Sequence, residues 1–371
     1  MAKDKMFDVP MLNVGKTVDQ LAGAYSAVIN GGAPLSTMPS VMLWGPPGVG
    51  KSQAVRQMAA AISENTGKRT VVTDVRLLLF NPIDLRGIPT ANEDKTLAVW
   101  LKPKIFQMDE SKNVINILFL DEISAAPQSV QAAAYQITLD RTVGEHRLPD
   151  NCIVIAAGNR VTDKSVAAKM PKALANRLLH LEMAVDFESW KTWAVKNDVN
   201  PKVVGFLSFR SDRLMAFDPA TDDRAFPTPR SWEMVSNVLN HVNGSIKETF
   251  PLIAGLIGNG VAAELLQWEK VYAQLPSIPD IFAGKSCKVP TSPDALYALC
   301  ASMVSYAKAH KDVMKQITNS IRYADRMPPD FSVLLMKDYM SLEKGYKHKL
   351  AKIPEFNKWV SKKGVLLNGS V

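Results

Sequence analysis

The sequence predicts an α/β protein: a parallel sheet flanked by helices, followed by an all-helical remainder. Three observations carry this expectation. A glycine-rich run, Gly45-Pro46-Pro47-Gly48-Val49-Gly50-Lys51-Ser52, stands between a short apolar segment and a helically periodic one. Short apolar runs alternate with helical patterns as far as Met183, which argues a parallel sheet with ligands at the carboxyl ends of its strands. From Asp186 onward apolar residues recur at helical spacing, and no further strand is convincing.

The first helix is expected from Thr17 to about Asn30. Thr17 and Gln20 form a capping-box pattern, Val18, Leu21, Ala22, Tyr25, Val28 and Ile29 form one apolar stripe, and Gly31-Gly32 ends it. Val41-Met42-Leu43-Trp44 reads as a buried strand, and Gln53 to Ser63 as a helix carrying Val55, Met58, Ala59 and Ile62 on one face. The β-branched run Thr70 to Val75 predicts a second strand. Asn81 to Pro103, with Pro82, Gly87, Pro89 and Pro103, reads as a turn-rich excursion rather than core.

Asn113 to Leu120 is the third strand, and it ends in Asp121-Glu122. A helix from about Pro127 to Leu139 follows, with proline tolerated in its first turn. Arg141 to Pro149 reads as a hairpin tip around Gly144, Cys152 to Ala157 as a fourth strand ending at Gly158-Asn159, and Leu178 to Met183 as a fifth. Beyond Val185 the groups Trp190/Trp193/Ala194, Val203/Val204/Phe206/Leu207 and Trp232/Val235/Val238/Leu239 predict helices, and Asp280 to Pro293 reads as a second linker. The expected organisation is therefore a nucleotide-binding domain over 1–185, a helical domain over 186–279 and a basic helical extension over 280–371.

The 371 residues are 47% hydrophobic and 22% charged, ordinary for a soluble globular chain. Three cysteines without paired ligand spacing point to a reducing, cytoplasmic compartment rather than a disulfide framework. No apolar run approaches the ~20 residues that a membrane helix needs. The net charge of +8 is uneven: from Lys308 onward 13 Lys/Arg face 6 Asp/Glu, which accounts for +7. Such a stretch could meet nucleic acid or an acidic partner, or be a solvated helical surface. It has few interleaved aromatics and no recognised nucleic-acid motif.

The glycine-rich run between strand and helix turns several backbone N–H groups and a helix N-terminus toward one anion. Lys51 suits the β- and γ-phosphates of a nucleoside triphosphate, and the Ser52 hydroxyl suits Mg²⁺. Asp121 fits as a metal ligand beside Ser52, and Glu122 as the base that orients a water. The same acidic pair also fits a helix N-cap before Pro127. Asn159 fits a contact to the γ-phosphate or the attacking water, and equally a conformational role in a Gly-Asn turn. Arg177 and Arg230 are candidate cations for a transferring phosphoryl group, or partners of surface carboxylates. Arg230 lies in the first turn of a helix that Thr228 caps and Pro229 opens, where it opposes the macrodipole.

In order and spacing, Gly45–Ser52, Asp121-Glu122-Ile123 with Ala126-Pro127, Asn159, Arg177 and Arg230 resemble the motifs of AAA+ ATPases, and more narrowly of the MoxR family. The resemblance spans about Leu12 to Asn240 and leaves the last third of the chain uncovered. It implies a five-stranded parallel sheet of order 5-1-4-3-2, an α-helical lid and a helical C-terminal extension. It implies ATP and Mg²⁺ held by Gly45, Pro46, Pro47, Gly48, Val49, Gly50, Lys51 and Ser52, with Ser52 and Asp121 on the metal. Asp121-Glu122 would be the Walker B pair, Asn159 the sensor-1 residue, Arg177 the arginine finger acting in trans, and Arg230 the lid's sensor-2 arginine. The excursion Asn81–Pro103 would be the helix-2 insert and the hairpin near Arg141–Pro149 the pre-sensor-1 insert. Asn159 is followed by Arg160 rather than proline, so Arg160, and more weakly Arg141, are further candidates for a trans-acting arginine. The implied function is ATP hydrolysis by a ring, a hexamer, that remodels or matures a protein partner, with a von Willebrand A-type protein as associate. The alternatives are a nucleic-acid motor using the basic C-terminal region and a nucleotide switch without hydrolysis.

Overall fold

A computed structural model of the chain describes residues 9–160, 170, 172–310, 313–343 and 345–363, without the side chains of 173, 174 and 313. These residues form two compact units: residues 9–186 with Asp218–Thr221, and Phe187–Phe217 with 222–363.

The first unit is built on a parallel sheet of six strands: β1 (Met11–Leu12), β2 (Val41–Trp44), β3 (Arg69–Arg76), β4 (Val114–Asp121), β5 (Cys152–Gly158) and β6 (Leu179–Met183). Their order is β1-β6-β2-β5-β4-β3. The five expected strands lie in the 5-1-4-3-2 order, and the correction is the sixth. Met11 and Leu12 pair with Glu182 and Met183 at the outer edge of β6. Two residues are too few to show a period, and their partner lies far along the chain.

Strand alternation divides the core between two faces. Ile115, Ile117 and Phe119 pack with helices α1 (Val14–Asn30) and α2 (Lys51–Thr66). Leu118, Leu120, Val154 and Ala156 pack on the opposite side with Val130, Ala133, Ala134 and Ile137 of α3 (Gln128–Asp140). With both faces covered, the central strands are apolar almost throughout. Helix α1 begins earlier than the Thr17 signal predicts. Asn13 is the cap and accepts from Lys16 N–H at 2.8 Å, while the buried Thr17 returns its hydroxyl to the Asn13 carbonyl.

The excursion Asn81–Pro103 is more ordered than its turn residues predict. It holds a short helix, Pro82–Arg86, and an antiparallel pair, Ile88–Ala91 with Ala98–Leu101. The hairpin around Gly144 pairs Thr142–Val143 with His146–Arg147.

Among its described residues the second unit holds helices joined by loops and no strand. It takes in both segments on either side of residue 280. Helices Pro201–Phe209 and Pro293–Ala309 pack closely at Gly205, where a Cβ would stand 3.2 Å from Ala298 Cα, a tight contact. Lys191 and Asp338 form an ion pair at 2.8 Å in the interior. Burial pushes the Asp338 carboxyl above its ordinary range, and Lys191 opposes that rise. The stretch Asp280–Pro293, read as a linker, begins inside helix Ile278–Phe282, whose Ile281 and Phe282 are buried. Among the described residues no helix is long and apolar enough to cross a membrane.

Candidate nucleotide site

The loop between β2 and α2 leaves the sheet at Gly45 and enters the helix through Gly50. Gly48 and Gly50 have φ of 77° and 106°, a region that side chains rarely enter. Gly50 is the N-cap of α2, so the N–H groups of the helix's first turn point toward the loop. Val49, 2% exposed, anchors the loop to the core from below.

Four expected residues come together here from three strand ends. Lys51 is buried, and its Nζ donates to Gly45 O at 2.7 Å, Pro46 O at 3.1 Å and Asn159 Oδ1 at 2.8 Å. Ser52 Oγ donates to Asp121 Oδ2 at 2.9 Å. The other Asp121 oxygen, Oδ1, accepts the Glu122 N–H at 2.9 Å, so both oxygens are oriented. Glu122 has φ of 60°, unusual for a residue with a side chain. The turn it makes lets Ile123 N–H reach Ala157 O at 2.9 Å and buries the Ile123 side chain.

The Ser52 and Asp121 oxygens are adjacent, as the hard-oxygen set preferred by Mg²⁺ requires. These residues fit the ion and would hold it beside the phosphates of a bound nucleotide.

Two supporting residues were not apparent from sequence. Ser124, 3% exposed, accepts the Asn159 N–H at 2.9 Å and so fixes the residue that meets Lys51. Gly158 makes that approach possible, because a Cβ would lie 2.9 Å from both Ser124 Oγ and Met42 Cε. The only sequence signals were a serine two positions after Glu122 and a glycine just before Asn159.

The arginines fall elsewhere. Arg177 is exposed in the turn between helix Lys172–Ala175 and β6, with no ion-pair partner among the described residues. Arg230 is exposed in the first turn of helix Pro229–His241, in the second unit. Its cap is reciprocal: Ser231 N–H donates to Thr228 Oγ1 at 3.0 Å, and Thr228 N–H to Ser231 Oγ at 2.7 Å. Arg160 is held in cis by an ion pair with Glu182, and Arg141 by the Cys152 carbonyl. Both are thus engaged within their own chain.

A glycine loop opening a helix, an Asp–Ser pair beneath it and a parallel sheet with the loop at a strand end define a P-loop α/β domain. Residues 40–180 match the family described as ATPase family associated with various cellular activities (AAA). No curated protein matches the chain. Similar solved structures include an inferred ATPase from Cytophaga hutchinsonii, at 16% identity and TM-score 0.30, covering 87% of this chain and 84% of that one. A mutant RuvB from Thermotoga maritima gives 16% and 0.36, with 82% and 87% covered. NtrX from Brucella abortus gives 13% and 0.35, with 95% and 67% covered.

Proposed function

We propose that the chain hydrolyses ATP as a MoxR-like AAA+ ATPase, assembled as a ring, and uses the cycle to remodel or mature a protein partner. A von Willebrand A-type protein is the expected associate, by family resemblance. The observation that carries the reading is the network of Lys51, Ser52, Asp121 and Asn159, which joins the phosphate loop to two neighbouring strand ends.

In this reading the N–H groups of the loop and the Lys51 ammonium bind the phosphates. Ser52 and Asp121 hold Mg²⁺, which when bound offsets phosphate charge. Glu122 orients the attacking water and takes its proton. Asn159, held by Ser124, positions Lys51 and the γ-phosphate side of the site. Arg177, exposed and unpaired among the described residues, is the cation offered to a neighbouring copy's nucleotide, and Arg230 is the lid's contribution.

The basic C-terminal stretch favours a nucleic-acid motor less than its charge suggests. Arg322 pairs with Glu355, Lys349 with Glu343, and Lys362 and Lys363 with Asp325. These pairs neutralise part of the surface field.

Glu122→Gln tests the reading. It is expected to bind ATP while turnover falls by ~10²–10⁴-fold, the scale of a lost general base. Turnover unchanged from the parent would remove Glu122 as the base.

A further inference from the structure

The turn that carries Arg177 is tied to the strand that carries the phosphate loop through one imidazole ring. Trp44, the last residue of β2, and His180, on β6, share a face of the sheet: Trp44 lies opposite Glu182, two residues beyond His180. Their rings lie nearly parallel, 13° apart with centroids separated by 6.1 Å. Trp44 Nε1 donates to His180 Nδ1 at 2.9 Å. Indole N–H only donates, so Nδ1 accepts and the proton sits on Nε2. That Nε2–H reaches the Ala175 carbonyl at 2.7 Å.

Ala175 ends helix Lys172–Ala175 and opens the turn Ala175–Leu178 in which Arg177 sits. Besides the imidazole, Asn176 N–H donates to Lys172 O at 3.2 Å and Leu178 N–H to Ala175 O at 3.3 Å, the latter longer than a typical N–H···O hydrogen bond. The His180 contact to the same carbonyl is shorter and comes from a side chain anchored in the sheet. We infer that His180 is a positioning residue for Arg177. Its ring, oriented by Trp44, fixes the Arg177 turn to the phosphate-loop strand and so sets where the arginine is presented. The inference rests on Arg177 acting on a neighbouring copy's nucleotide.

The test reads ATP turnover in mixed assemblies. Lys51→Ala chains lack a working loop but carry Arg177, whereas Arg177→Ala chains keep the loop and lack the arginine. Mixing them is expected to recover turnover. His180→Phe keeps a ring against Trp44 and removes both hydrogen bonds. On the Lys51→Ala chain, which donates the arginine, it is expected to lower the recovered turnover roughly tenfold, within the ~10²-fold that a 1 Å misplacement can cost. On the Arg177→Ala chain the fall is expected to be much smaller. His180→Gln, whose amide can both accept and donate, restores most of the donor's effect. In the otherwise unaltered chain His180→Phe lowers kcat while KM for ATP holds, as loss of a transition-state group does. Equal falls in both placements, or none in either, overturn the positioning role and leave the trans arginine standing. No recovery in the parent mixture, with mixed assemblies confirmed by native mass spectrometry, overturns the trans reading and this inference together. Should His180→Phe fold poorly, Trp44→Phe removes the anchoring donor instead, and absence of the same asymmetry counts against the role.

Discussion

The Ser52 hydroxyl donates to the Asp121 carboxylate at 2.9 Å across 69 residues of chain. The contact joins the first turn of α2 to the end of β4 at the point where a Mg²⁺ on nucleotide would take both oxygens. Ser52→Ala is therefore expected to weaken ATP binding at least roughly tenfold with Mg²⁺ present, since even outer-shell changes at metal sites cost ~10–100-fold. Binding in EDTA is expected to change little. Titration calorimetry under the two conditions measures the difference, and equal losses in both contradict the metal role.

Gly158 sits where a methyl group would collide with Ser124, and Ser124 holds the Asn159 backbone. Gly158→Ala is expected to destabilise the first unit by ~1–3 kcal/mol, the usual scale of overpacking, and to lower turnover by shifting Asn159 from Lys51. Thermal melts and ATPase assays on the same preparation check both effects. An unchanged melt would show that the strand end relaxes without loss.

The three cysteines differ in access. Cys152 and Cys300 are buried and Cys287 is half-buried. Burial pushes the Cys152 thiol up to about 11 and raises Cys300 as well, which withholds the reactive thiolate. At pH 8 a thiol reagent is expected to modify Cys287 first and the other two only after denaturation. Mass spectrometry of the labelled peptides reads the order, and equal labelling rates in the native protein contradict the packing.

Much of the first unit was legible because its signals are local. The loop, the apolar strands around it and the Asp121-Glu122 exit are each contained in a few consecutive residues, and strand–helix alternation ordered them. What escaped depends on partners distant in sequence. Met11–Leu12 is a strand only because Glu182 and Met183 lie beside it. The α1 cap moved to Asn13 because Thr17 is buried and bonds backward instead of capping. Ser124, Gly158 and the Trp44–His180 pair acquire their roles from packing between strand ends. The antiparallel pair within Asn81–Pro103 was hidden by its prolines, one of which, Pro89, lies in the strand itself.

The central claim is that the site is completed by a neighbouring copy, and one measurement tests it most directly. ATP turnover is read in an equimolar mixture of Lys51→Ala and Arg177→Ala chains, each expected to be nearly inactive alone. Because one supplies the arginine and the other the loop, the mixture is expected to recover a substantial part of the parent rate. A mixture that forms mixed assemblies yet turns over no faster than either chain alone would contradict the account.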